Sequence, residues 1–362
     1  MKKEHKSLIR KDGFQTLLAS LVCVLGGLIV GYLVLLIIEP SGAFEAIVAV
    51  MKSFLRFPGA LKLKYFGQAL VRTAPLLLCA LSVLFAYKVG MFNIGAAGQY
   101  CAGACAALYA ALAWNMPWYV CILLGMLAGA LRALFNVNVV ISGIMLNWIT
   151  LYLTNLVLGT VKNPTSPYTK TLQSTNPGAL IPSLGLEKLF NNEKSVTIAI
   201  PIAVLTAVLV WVVLNKTKFG YELKATGSNY NAAKYCGMKE NQNIILTMVI
   251  AGALAGFGAG LLQWQCSTSS VPGMGFNGIA VASLAGLSPL GSILSAFFIQ
   301  YITTGGGNVD LQVYCSQISS LISALIIYLC AFVGFFKYFI QTRLRKADER
   351  KAAQIQEGGE DK

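Results

Sequence analysis

The chain has 362 residues, 56% of them hydrophobic and 12% charged, with a formal net charge of +14 and a mean hydropathy of +0.66. A soluble fold of this length cannot hide so much apolar surface, and apolar runs of about 20 residues recur, enough to cross a ~30 Å hydrocarbon core at ~1.5 Å per residue. The composition excludes a soluble enzyme and describes an all-α polytopic membrane protein with about 8–10 transmembrane helices, since a closed barrel would show short alternating segments instead.

The positive charge does not mark a nucleic-acid binder. Basic residues gather at the N-terminus (Lys2, Lys3, Lys6, Arg10, Lys11) and after the last apolar run (Lys337, Arg343, Arg345, Lys346). Cytoplasmic flanks of membrane spans have that pattern. The nine cysteines sit mostly inside apolar runs, where a thiol behaves as a small hydrophobe. Cys101 and Cys105 are four apart, but the chain's single histidine is the distant His5, so no metal site is expected.

Residues 1–13 read as a cytoplasmic leader and 14–336 as one membrane domain. Phe14–Ile38 is the first span, carries Gly27 and Gly31 at GxxxG spacing, and is followed by no small-residue cleavage site. Residues 39–68 form a mixed outer loop with room for a short surface helix. Its Lys52, Arg56, Lys62 and Lys64 run against the positive-inside rule. Ala69–Tyr87 is the second span, with Pro75 expected in its first turns, where proline starts or bends a helix. Phe92–Ala113, Pro117–Phe135 and Val139–Leu158 are the next three, with Trp114 and Trp118 at an interface and Gly125 and Gly129 as a packing notch. Residues 159–194 make a second outer loop, with Pro164, Pro167, Pro177 and Pro182, suited to docking an extracytoplasmic partner. Ser195–Leu214 is the sixth span.

Residues 215–243 form the longest polar interruption in the second half. Five lysines (Lys216, Lys218, Lys224, Lys234, Lys239) outnumber Glu222 and Glu240. A short helix is expected over Asn231–Cys236: Ser228 or Asn229 can cap its start, and Gly237 can end it. Ala232 and Ala233 are small enough for a partner to approach, so this loop is a candidate for transmitting force. Ile244–Trp264 is the seventh span; Gly252, Gly256 and Gly260 form a smooth packing stripe. Gly275–Leu287 and Pro289–Ile302, parted by Ser288-Pro289, each read as too short to span alone. They form a broken or re-entrant pair. Val313–Phe336 then runs inward, and 337–362 is a cytoplasmic tail.

Chemistry is sparse. The sequence has no GxxxxGK[ST] phosphate loop, no HExxH and no GxSxG. The spans carry almost no acids, which proton-driven carriers use as relays. Arg72, Lys88 and Arg132 lie near span ends, where long side chains reach the interface. The energy for any transport would therefore come from elsewhere. Uncharged polar groups remain in or beside the apolar runs: Asn93, Gln99, Asn147, Thr150, Gln263, Asn277 and Gln300. Amides donate and accept, so they suit a neutral hydroxylated or heterocyclic solute, or else bond neighbouring helices. Asn93 and Gln99 stand out because Gly90, Gly95 and Gly98 surround them and permit a distorted helix start with free N–H groups. The residues alone leave an ion-coupled secondary carrier or facilitator open as a second reading.

Four ordered stretches resemble one family. Gly90-Met91-Phe92-Asn93-Ile94-Gly95-Ala96-Ala97-Gly98-Gln99, Val140–Trp148, the loop from Phe219 through Asn229, Ala232, Ala233, Gly237 and Met238, and Gly275–Ala282 with Pro289-Leu290-Gly291 are similar to ABC-importer permeases for nucleosides, simple sugars and branched-chain amino acids, nearest the nucleoside branch. The resemblance covers Ala69 to Gly291. It implies a type II-like importer permease in a bacterial cytoplasmic membrane with both termini cytoplasmic. It further implies a second permease subunit, same or paralogous, two ATPase subunits carrying ATP and Mg, and an extracytoplasmic solute-binding lipoprotein. This chain itself would need no cofactor or metal and would not be an enzyme. Asn93, Gln99, Asn147, Trp148, Gln263 and Asn277 would line the solute path. Gly220, Asn229, Ala232, Ala233, Gly237 and Met238 would couple to the ATPase. The sequence departs from the family's pattern at Ala97 and Val139, where the family carries Glu, and in a shortened 129–136 segment.

Overall fold

Inside a bilayer every backbone N–H and C=O must be bonded within the protein, so long apolar runs fold as helices. The computed structural model describes residues 12–134, 141–163, 168–262, 271–306, 318–330, 332–343 and 345–346. Helix α1 covers Asp12–Ile38, α2 Ala43–Lys52, α3 Gly59–Tyr87, α4 Ala96–Leu112, α5 Trp118–Leu134 and α6 Ile141–Leu158. Two one-turn helices, α7 (Leu172–Thr175) and α8 (Leu186–Leu189), precede α9 (Ala199–Lys216). Then follow α10 (Lys218–Ser228), α11 (Tyr230–Tyr235), α12 (Glu240–Leu261), α13 (Gly273–Leu284), α14 (Pro289–Gly306) and α15 (Ile318–Cys330). Among the described residues five helices are long and apolar enough to cross a membrane.

Helix α3 is the centre of the bundle. Every residue from Thr73 to Ala86 is buried, as expected of a helix that is apolar on all sides. Pro75 lies in the middle of this helix rather than in its first turns, because the helix begins at Gly59, ten residues before the expected Ala69. The mixed 39–68 stretch is thus largely helical, and part of its charge is matched: the Lys64 ammonium stands 3.7 Å from the Glu193 carboxylate.

Backbone contacts hold α4, α5 and α12 together. A Cβ on Gly256 would lie 2.2 Å from the Gly125 carbonyl oxygen, and one on Gly129 would lie 2.2 Å from that of Gly252. A Cβ on Gly103 would meet Gly256 Cα at 2.5 Å. Gly260 sits against Ile122. The glycine stripe of α12 therefore runs antiparallel along α5 and admits α4 at Gly256, a separation that side chains would forbid.

Helices α1 and α15 are antiparallel, with Gly27 against Ile326 and Gly31 against Ile322. Gln341 Nε2 donates to Gln15 Oε1 at 3.0 Å, so the start of α1 and the helical run 333–343 share one face. The α13–α14 turn reaches the same face: Ser20 Oγ donates to the Leu284 carbonyl at 2.7 Å, and Gly286 abuts Thr16. At the other end, Gly305 packs on Val50 and Ser53 Oγ donates to the Tyr301 carbonyl at 3.0 Å. Of the expected broken pair, α13 is the shorter, with 12 residues. Helix α14 has 18 residues and continues past the expected Ile302 to Gly306. Its polar end is kept helical by packing on α2 and by bonds from Thr303 to Ile299 and Gln300 to Thr304. Pro289 opens α14 at the position where proline's missing N–H costs nothing.

Gly256→Val should lower the thermal unfolding midpoint of the detergent-solubilised protein, by an overpacking cost of about 1–3 kcal/mol. Gly159→Ala, where an added Cβ meets nothing within 4 Å, should leave the midpoint in place. Equal midpoints for both variants would contradict the close-contact account.

Candidate substrate site and coupling surface

The chain leaves α3 through a tight reversal. Gly90 takes φ +76°, its N–H donates to the Tyr87 carbonyl at 3.0 Å, and Met91 N–H reaches back to Ala86 at 3.1 Å. This is the pattern by which a left-handed glycine ends a helix. Residues 91–95 then lead into α4. Asn93 and Gln99 are both fully buried here. Asn93 Nδ2 donates to Gln99 Oε1 at 2.9 Å and to Ser82 Oγ at 3.2 Å. Asn93 Oδ1 and Gln99 Nε2 have no hydrogen-bond partner among the described residues, nor does the buried Thr247 hydroxyl on α12. Turning both amides over exchanges their roles and still leaves one donor and one acceptor unmet. Each such buried group costs about 1–3 kcal/mol, so the pair is a polar hot point in an apolar bundle.

Asn147 is also buried but occupied. Its Oδ1 accepts from Gly98 N–H at 2.9 Å and its Nδ2 donates to the Ile94 carbonyl at 3.2 Å. It therefore fastens the start of α4 to α6 and satisfies one of the free N–H groups of a helix N-terminus. Trp148, the next residue, points away from Asn147 and is 50% exposed. Asn277 is half-buried on α13, two residues after Gly275, whose Cβ would lie 2.3 Å from Ala97 N. Ala97 itself is fully buried. Gln263 and Val139 lie outside the described residues, as does part of the 129–136 segment. The structure thus joins Asn93 with Gln99, sets Asn147 beside them as a clamp, and separates Trp148 from the group. Ser82 and Thr247 were not among the expected residues; a lone hydroxyl in an apolar run was the available signal for each.

A cavity of about 820 Å³ opens where α6 ends and α9 begins, bounded by Val71, Leu261, Tyr168, Gln173, Glu187 and Glu193. Burial pushes the Glu193 carboxyl up, but hydrogen bonds from Ser195 and Gln68 and the Lys64 ammonium outweigh it and hold the group below the usual carboxylate range. Asn176 Nδ2 donates to the carbonyls of Ala111 at 2.9 Å and Met116 at 3.0 Å, which pins this segment to the end of α4.

The 215–243 stretch holds two helices, not one. Thr217 Oγ1 caps α10 by accepting from Gly220 N–H at 3.2 Å, and Asn229 Oδ1 caps α11 by accepting from Ala232 N–H at 3.0 Å. Gly237, at φ +75°, follows the end of α11, and Met238 N–H bonds the Ala233 carbonyl at 3.1 Å. Gly220 packs on the backbone of Val213 and Leu214. Ala233 is only 3% exposed, so its side chain faces the protein. The accessible surface of α11 is Tyr230, Asn231, Ala232, Lys234 and above all Tyr235, which is 92% exposed.

Residues 65–331 match the family described as Branched-chain amino acid transport system / permease component. The chain is 30% identical to the guanosine ABC transporter permease protein NupP of Bacillus subtilis, over 91% of this chain and 97% of the relative. It is 32% identical to the nucleoside ABC transporter permease protein NupB of Lactococcus lactis, over 80% of this chain and 84% of the relative. It is 29% identical to the glucose ABC transporter permease protein TsgB13 of Haloferax volcanii, over 75% and 77%. No solved structure matches.

Asn147→Ala leaves Gly98 N–H and the Ile94 carbonyl without their clamp. It should destabilise the protein by about 1–3 kcal/mol, read as a lower unfolding midpoint in detergent. An unchanged midpoint would remove Asn147 from its fastening role.

Proposed function

This chain belongs to the family of branched-chain amino acid transport system permease components, and we propose that the solute it passes is a nucleoside. As a family member it is a membrane-embedded ABC importer permease, a transport subunit and not itself an enzyme; the family implies ATPase and substrate-binding partners. The observation that carries the nucleoside reading is the Asn93–Gln99 pair, with one acceptor and one donor unmet. A nucleobase is neutral and presents adjacent donors and acceptors on its edge, which amide side chains match. The relatives named for guanosine and nucleosides support the same choice.

In this reading the working assembly has a second permease subunit, two ATPase subunits and an extracytoplasmic solute-binding lipoprotein. Both termini are cytoplasmic, by the positive-inside rule, in a bacterial plasma membrane. The 159–194 segment receives the binding protein, and the cavity beside it is the outer mouth. Helix α11 docks on an ATPase through Tyr235; aromatic side chains of that exposure are frequent anchors of interfaces. A sugar is the second reading, favoured by the carboxylates of Glu187 and Glu193 at the cavity and by the glucose-permease relative.

Pull-down from detergent-solubilised native membranes should recover an ATPase subunit, and ATP depletion should abolish uptake of labelled nucleosides. Uptake that survives depletion and follows an ion gradient would overturn the importer reading; ATP-driven uptake of sugars alone would overturn the nucleoside. Tyr235→Ala should reduce ATP-driven uptake about tenfold, the loss of one interface anchor, with membrane insertion intact. Normal uptake in that variant would remove Tyr235 from the docking surface.

A further inference from the structure

The amide pair and α11 are joined by a short path of backbone contacts. Helix α10 ends at Ser228, and Asn229 begins α11 at once, so no flexible linker lies between them. One residue before that end, a Cβ on Gly227 would lie 2.3 Å from the Lys88 carbonyl oxygen and 2.9 Å from Val89 Cα. A Cβ on Gly90 would in turn lie 3.5 Å from the Gly227 carbonyl oxygen. The end of α10 therefore rests directly on the reversal that closes α3. Thr226 is tied to α12 as well, since Asn243 Nδ2 donates to its hydroxyl at 3.4 Å.

On the far side of Asn93 the chain is held by a different element. Asn147 of α6 grips the Ile94 carbonyl and Gly98 N–H. Asn93 thus sits between two supports, one resting on the end of α10 and the other bonded to α6. Gly90, in the left-handed region at φ +76°, lies at the α10 end of this segment, where glycine is free to change conformation. A displacement of 88–90 against a stationary 94–98 must turn residues 91–93. The Asn93–Gln99 bond of 2.9 Å is the contact that such a turn opens.

We propose that Gly227 is the positioning residue that carries movement of α11 to the solute site, by seating α10 on Lys88–Gly90 and so opening the Asn93–Gln99 pair. The proposal rests on the reading of α11 as the ATPase-docking helix. It accounts for a site fully buried in this conformation: the pair is closed until the partner pulls.

The test is hydrogen exchange on the assembled importer in lipid vesicles, with and without ATP-vanadate trapping. Trapping should change exchange in 225–238 and in 88–95 together. Change in 225–238 with 88–95 unaffected would overturn the link and leave the docking reading standing. No change in either segment would overturn both. As a second measurement, Gly227→Leu should lower nucleoside taken up per ATP hydrolysed about tenfold, the size of a typical coupling term, in complexes that assemble in normal yield. An unchanged ratio in assembled Gly227→Leu complexes would also overturn the link. Should the variant not assemble, the exchange result on the unaltered importer decides.

Discussion

The contact on which the rest of this structure depends is the backbone-to-backbone approach of α12 to α5 and α4. Lipid tails are as apolar as leucine, so helices in a bilayer gain little from hiding hydrophobic side chains from one another and must gain instead from close packing. Gly103, Gly125, Gly129, Gly252 and Gly256 supply that closeness. With α4 drawn against α12, Gln99 lies fully inside the bundle. Without the glycines, α4 would stand further out, and the amide pair would have solvent or lipid beside it rather than an apolar shell.

That shell gives the amides their meaning. A polar group in water exchanges one partner for another at little cost, whereas one in a dry interior keeps its unmet capacity until something fills it. Asn147 shows the satisfied case, both ends of its amide engaged. Asn93 and Gln99 show the unsatisfied one, a donor and an acceptor held ready in a bundle whose long spans are almost free of acids. In the proposed reading this pair recognises a neutral solute, and the spans, almost free of acids, do not drive it by a proton relay. Their driving force arrives from partner chains.

Much of this was legible in the sequence. Apolar run length places the helices, because a membrane core allows no other backbone arrangement for them. The caps of α11 were readable from Asn229 and Gly237, since both act through local geometry. What escaped was decided by tertiary contact. Helix α3 starts at Gly59, and Lys64 in its early turns stands beside Glu193 of the segment that precedes α9. Helix α14 runs through Thr303 and Gly305 because α2 covers its end. The inward turn of Ala233, the outward turn of Trp148 and the seating of Gly227 on Lys88 follow from packing faces that no short-range pattern encodes.

The most direct measurement is a structure of the assembled importer in lipid with a nucleoside bound, trapped during turnover. The account predicts the base within hydrogen-bond distance of Asn93 Oδ1 and Gln99 Nε2, with the bond between the two amides opened. A nucleoside seated elsewhere, with that bond intact, would contradict it.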